Sequence, residues 1–82
     1  MKIEILGPGC SKCNSLEANA KAAADKLGIP YELVHVKDIA KIASYGVLMT
    51  PALAVDGKVK LSGTVASPTE LTTLFTAELK KG

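Results

Sequence analysis

The residues of this 82-residue chain best suited to chemistry are its two cysteines, Cys10 and Cys13, which are separated by two residues. Two thiols at this spacing can form a reversible disulfide or bind a soft metal ion, and in a reducing compartment both uses are more common than a structural crosslink. A crosslink over so short a loop would restrict the unfolded chain by only about 2 kcal/mol. The spacing therefore predicts redox chemistry, with a copper-binding module as the alternative.

The segments on either side of the pair predict how it is held. Lys2–Leu6 is an apolar strand, Gly7-Pro8-Gly9 turns the chain, and a helix rich in strong helix formers then runs to Leu27, with Cys10 at or next to its N-cap. Unpaired N–H groups and the helix dipole at that end favour a thiolate and lower the pKa of the Cys10 thiol. We therefore expect Cys10 to attack a substrate disulfide and Cys13, one turn later and deeper, to resolve the mixed disulfide.

The rest of the chain alternates strands and helices in a pattern typical of a single α/β domain over residues 1–82. After the first strand and helix we predict a strand over Tyr31–Val36 and a short helix over Ile39–Tyr45. A further strand follows Pro51 and ends at Val55, and a type I′ turn at Asp56-Gly57 joins it to a strand over Lys58–Ser62. The last helix is capped by Ser67 and Glu70, and its predicted buried stripe consists of Leu71, Leu74, Phe75 and Leu79. The order is βαβαββα. Copper chaperones of ferredoxin-like fold have the order βαββαβ instead and end in a strand.

Composition excludes several classes of function. The net charge is +2, all ten basic residues are lysines, and only 4% of residues are aromatic, so nucleic-acid binding is not expected. The sequence has neither an apolar run long enough to span a membrane nor a signal peptide. From this we expect a cytoplasmic monomer without a cofactor or a bound metal. With Cys10 and Cys13 set aside, His35 is the remaining soft ligand, too few for a closed zinc site, and it is predicted to be a strand residue satisfied by solvent or backbone.

Taken together, Gly7–Cys13, Met49-Thr50-Pro51-Ala52, Val55-Asp56-Gly57-Lys58 and Gly63 resemble the thioredoxin superfamily, most of all its small thioredoxin-like, redox-active disulfide (glutaredoxin-like) branch. The resemblance implies a thioredoxin fold: a mixed four-stranded sheet of order 4-3-1-2 flanked by three helices on both faces. It also implies that Pro51 is cis beside the cysteines, that the backbone of Thr50 pairs with a substrate strand, and that Gly63 lines the same groove. The implied partners are a disulfide-containing protein or small molecule and a separate reductase that supplies electrons for redox homeostasis.

Four further residues are predicted to modulate the site. Gly9 stands where thioredoxin itself has Trp, and Ser11-Lys12 replaces the Gly-Pro between its cysteines, so the substrate range and potential are specific to this chain. Glu4 lies six residues before Cys10, the offset at which thioredoxin has a buried Asp that accepts the proton of the second cysteine. Glu4 is therefore a candidate proton acceptor, although a strand Glu is more often exposed.

Overall fold

The computed structural model of the chain describes residues 1–9 and 11–81, with side chains up to residue 80; Cys10 and Gly82 lie outside this part. The elements follow the predicted βαβαββα order: β1 (Lys2–Leu6), α1 (Ser11–Leu27), β2 (Glu32–Val36), α2 (Ile39–Ser44), β3 (Ala52–Val55), β4 (Lys58–Ser62) and α3 (Pro68–Lys81).

The four strands form one mixed sheet in the order β2-β1-β3-β4, which is the predicted 4-3-1-2 order counted from the other edge. β1 pairs parallel with β2, with Ile5 opposite His35, because the chain crosses over through α1 between them. β1 pairs antiparallel with β3, and β3 pairs antiparallel with β4. At its C-terminal end, the Leu6 residue of β1 therefore lies opposite Val36, the last residue of β2, and Ala52, the first residue of β3.

Helices cover both faces of the sheet, as predicted, and each face has its own apolar cluster. The larger cluster joins the sheet to α1 and α3 and contains Ile3, Ile5, Leu16, Ala20, Ala23, Ala24, Leu53, Val55, Ala66, Leu71 and Phe75. The smaller cluster joins the sheet to α2 and contains Leu6, Val36, Ile42, Val47, Ala52 and Ala54. Ala20, Ala23 and Ala24 contribute small side chains of α1 to the larger cluster.

The local signals for turns and caps are confirmed. Asp56 and Gly57 both have positive φ, 50° and 84°, as a two-residue type I′ turn requires. At the start of α3 the Glu70 N–H donates to Ser67 Oγ at 3.2 Å, and the Ser67 N–H donates to Glu70 Oε1 at 3.1 Å, the reciprocal pair of a capping box.

Three predictions of detail are wrong. Leu79 does not belong to the buried stripe of α3: it is 47% exposed, because the apolar cluster that α3 contacts ends at Phe75, one turn earlier. The helix α2 stops one residue early, at Ser44, and Tyr45 forms its C-cap. The strand β2 begins one residue late, at Glu32.

Candidate active site

Cys13 lies in the first turn of α1 and is completely buried. Its sulfur packs directly against Gly7, the residue that follows β1, so that a β-carbon on Gly7 would overlap Cys13 Sγ. The same β-carbon would lie 3.7 Å from the Cβ of Thr50, and the Gly7 N–H donates to the Val36 carbonyl at 3.0 Å. Gly7 is thus the point where the sheet, α1 and the loop before β3 converge, a role that sequence reasoning missed because it assigned Gly7 only to a turn.

Cys10 immediately precedes Ser11, the first residue of α1, and lies outside the described residues, so its attacking role stays a prediction. The predicted modulators next to it are described. Gly9 has a φ of +97°, a conformation that disfavours any side chain, and Ser11 and Lys12 are exposed. Cys10 is therefore followed in the sequence by two exposed polar residues of α1.

The three predicted substrate-binding residues lie together. The Thr50–Pro51 peptide bond is cis, Pro51 is buried and Thr50 is exposed. The Gly63 N–H donates to the Pro51 carbonyl at 2.8 Å, and a β-carbon on Gly63, where φ is +72°, would lie 3.2 Å from the Cβ of Met49. Met49 is itself 64% exposed, so it borders this loop as a large apolar side chain in contact with solvent.

An apolar cavity of about 240 Å³ lies next to this loop. It is lined by Pro8, Ile39, Ile42, Ala43, Val47, Leu48 and Thr50. Leu48 is 97% exposed and Ile39 is 73% exposed, and large apolar side chains left in water close to a reactive group are typical of a binding surface. The cavity has room for an aliphatic side chain of a bound segment.

The predicted modulator Glu4 is buried, with only 2% of its surface exposed, rather than exposed like most strand glutamates. Tyr45 donates its hydroxyl to Glu4 Oε2 at 2.7 Å. That hydrogen bond, reinforced by burial and by the charge of the carboxylate, raises the pKa of Tyr45 above its ordinary value. Glu4 alternates with Ile3 and Ile5, which face α1 and α3, so its carboxylate is on the α2 face of the sheet.

Two cationic or titratable side chains at the end of β2 were not predicted as site residues. His35 places Nε2 3.2 Å from the Gly7 carbonyl oxygen and Nδ1 2.8 Å from Glu17 Oε1. The Cε atom of Lys37 lies 3.7 Å, and its Nζ 4.0 Å, from the position of a β-carbon on Gly9. The one available signal was their location at the C-terminal end of a parallel strand, the edge where ligands collect in α/β sheets.

Within residues 1–9 and 11–81, His, Cys, Asp and Glu side chains nowhere gather in a group of three or more that could hold a metal ion. Among the same residues, every helix is too short or too polar to cross a membrane.

The sheet order, the helices on both faces and a cysteine pair at the junction of β1 and α1 define a thioredoxin-fold protein. The family model described as "Thioredoxin domain" matches residues 1–76. A thioredoxin of Methanothermobacter thermautotrophicus is 45% identical over 71 residues, covering 87% of this chain and 92% of the relative. A thioredoxin of Methanocaldococcus jannaschii is 41% identical over 69 residues, covering 84% and 79%. The chain belongs to the thioredoxin superfamily, and a thiol–disulfide redox function in general follows from that membership.

Proposed function

We propose that this protein is a thiol–disulfide oxidoreductase or redox carrier in which Cys10 and Cys13 alternate between a dithiol and a disulfide. The observation that carries the proposal is the burial of Cys13 against Gly7, because the sulfur is held in the first turn of the helix, two residues after Ser11, and Thr50 lies close to the same Gly7. Cys13 is buried, whereas the two residues before it, Ser11 and Lys12, are exposed. A buried second thiol suits a resolving cysteine, which attacks only after a substrate has been captured.

The reaction proceeds in two exchanges. The Cys10 thiolate attacks one sulfur of a substrate disulfide, the substrate S–S bond breaks, and the first substrate thiolate leaves while a mixed disulfide forms at Cys10. Cys13, as its thiolate, then attacks Cys10 Sγ, and the second substrate thiolate leaves. The substrate gains two electrons and the protein becomes the Cys10–Cys13 disulfide. A separate reductase returns the two electrons.

Thr50, Pro51 and Gly63 form the substrate groove in this proposal. Thr50 is exposed and its Cβ lies close to Gly7, so a client segment that pairs with the Thr50 backbone would bring its disulfide to the cysteines. Disulfide-containing proteins or small molecules are the expected clients. We further propose that the chain acts as a single-domain monomer in the cytoplasm, where thiols are kept reduced.

Equilibration of the purified protein across a series of dithiothreitol redox buffers tests this proposal. Alkylation of thiols, followed by mass measurement, counts the cysteines that remain reduced at each potential. The expected result is a single two-electron transition in the range of known oxidoreductases, which extends from about −270 mV for thioredoxin to about −120 mV for the strongest oxidants. Stoichiometric retention of copper by the dithiol without any disulfide-reductase activity would instead establish the metal-binding alternative.

A further inference from the structure

His35 occupies an unusual place for a strand histidine. Its ring lies between two segments that flank the cysteine pair: the carbonyl of Gly7 on the N-terminal side, and the carboxylate of Glu17, one helical turn beyond Cys13, on the C-terminal side. The His35 side chain is only 12% exposed, whereas that of Glu17 is 39% exposed. The ring therefore contacts both ends of the segment that carries the proposed chemistry.

The two partners fix which atoms of the ring donate. A backbone carbonyl only accepts hydrogen bonds, so the contact with Gly7 requires a hydrogen on Nε2. The Glu17 carboxylate is also an acceptor and lies 2.8 Å from Nδ1, so a hydrogen on that nitrogen donates to Glu17.

The contact with Gly7 matters because of what else Gly7 touches. Its N–H already donates to the Val36 carbonyl at 3.0 Å, so with His35 on the carbonyl both peptide groups of Gly7 are held by the end of β2. The Cα of the same residue packs against Cys13 Sγ. A shift of the Gly7 carbonyl would therefore move the surface against which the buried sulfur rests and the turn that leads to Cys10.

We propose that His35 is a positioning residue for the second exchange, the attack of Cys13 on the mixed disulfide at Cys10. The inference rests on the function proposed above and deepens it. By holding the Gly7 carbonyl and Glu17 together, the ring keeps the turn before Cys10 and the second turn of α1 in one fixed relationship. Alignment of two reacting sulfurs is sensitive to displacements of about 1 Å, so loss of this bridge slows resolution more than it slows the first attack.

Substitutions at His35 can separate the two contacts. In His35→Gln the side-chain amide reaches the position of Nε2 and can still donate to Gly7, whereas in His35→Asn the shorter amide mimics Nδ1 and reaches only Glu17. Glu17→Ala removes the α1 partner from a half-exposed site on a helix, where Ala is well tolerated. Lys21→Ala, an exposed change one turn further along α1, is the matched control.

The reaction of each reduced protein with one equivalent of 5,5′-dithiobis(2-nitrobenzoate) reports both exchanges. Attack by Cys10 releases the first thionitrobenzoate, and attack by Cys13 on the mixed disulfide releases the second, so stopped-flow absorbance gives two rates. We expect His35→Asn to slow the second release on the order of tenfold and Glu17→Ala to slow it in the same direction, with the first release within about twofold of the unmodified protein. His35→Gln, which keeps the Gly7 contact but loses Glu17, should slow the second release as Glu17→Ala does, and Lys21→Ala should keep both rates.

The possible results are distinct. An unchanged second release in His35→Asn, an unchanged second release in both Glu17→Ala and His35→Gln, or an equal slowing of both releases would each overturn the positioning role. If the unmodified protein released only one thionitrobenzoate, the proposed function itself would be refuted, and this inference with it.

Discussion

Gly7 and Cys13 are in direct contact, and the space between them admits no further carbon: a β-carbon on residue 7 would overlap the cysteine sulfur. Gly7 is held by a hydrogen bond to Val36 of β2, and Cys13 is completely buried in α1. Neither residue can therefore move away from the other unless its own element moves. The contact therefore sets the distance between the end of β1 and the first turn of the helix.

The first prediction concerns that contact. Gly7→Ala should lower the free energy of unfolding by about 1–3 kcal/mol, the usual effect of overpacking a close-packed site, when measured by urea denaturation. The matched background is Cys13→Ala, which removes the sulfur and makes room for the added methyl group. The cost of Gly7→Ala should be smaller there, and an identical cost in both backgrounds would show that Gly7 is constrained by something other than Cys13.

The second prediction concerns the buried carboxylate of Glu4. Tyr45→Phe removes the hydroxyl that donates to Glu4 Oε2 and should cost about 1 kcal/mol of stability. Tyr31→Phe is the control, because the Tyr31 hydroxyl donates to Asp25 at an exposed site where such a bond contributes less. A larger loss in Tyr31→Phe than in Tyr45→Phe would contradict this account.

The same pair predicts a dependence of stability on high pH. The pKa of Tyr45 is raised by its hydrogen bond to Glu4, so the folded state holds the phenol proton more tightly than the unfolded state does. The corresponding stability is fully present below the pKa of tyrosine in the unfolded chain and is lost as pH rises from there through the raised pKa. Denaturation of Tyr45→Phe should lack this part of the alkaline loss, and identical alkaline profiles for the two proteins would exclude it.

The third region to test is the proposed groove. Gly63→Ala strains a residue whose φ is +72° and pushes the new methyl group against Met49. The substitution should therefore raise KM for a disulfide-containing protein substrate severalfold, which corresponds to a loss of about 1 kcal/mol of binding free energy. Gly28→Ala is closely matched, since its φ is +66° but nothing lies within 4 Å of the added carbon. Equal KM changes in both variants would mean that backbone strain, not the groove, is responsible.

Lys37 provides a fourth test. Its Nζ lies 4.0 Å from the position of a β-carbon on Gly9, the residue that precedes Cys10 in the sequence, and a positive charge near a thiol favours the thiolate. Lys37→Met should raise the pKa of the Cys10 thiol slightly and slow its alkylation by iodoacetamide at neutral pH by less than about fivefold, because the lysine is exposed. Lys41→Met on α2 is the control. The difference should shrink in high salt, and a difference unaffected by salt would argue against a charge effect.

Much of the fold was predictable because its signals are local. Asp56-Gly57 makes the hairpin and Ser67 with Glu70 begins α3, and each depends on residues close in sequence. The role of Cys13 was predicted from its spacing and those of Thr50, Pro51 and Gly63 from a resemblance to a family, and all four roles stay predictions.

The contacts that could not be predicted join residues far apart in the chain. The Tyr45–Glu4 bond spans 41 positions and the His35–Gly7 bond spans 28, so neither leaves a periodic or neighbouring pattern in the sequence. Leu79 was misassigned for a related reason. Its helical spacing predicts the face of α3 on which it lies, but where the apolar cluster ends is decided by the length of the elements packed against that face.

The central claim, that Cys10 attacks and Cys13 resolves, is tested most directly by trapping the mixed disulfide. Cys13→Ser and Cys10→Ser are each reduced, mixed with one equivalent of 5,5′-dithiobis(2-nitrobenzoate) near neutral pH, and followed by intact mass. The account predicts that Cys13→Ser rapidly forms a stable thionitrobenzoate adduct at Cys10, whereas Cys10→Ser, whose remaining thiol is buried, reacts far more slowly. Rapid labelling of Cys13 in Cys10→Ser together with an inert Cys10 in Cys13→Ser would contradict it.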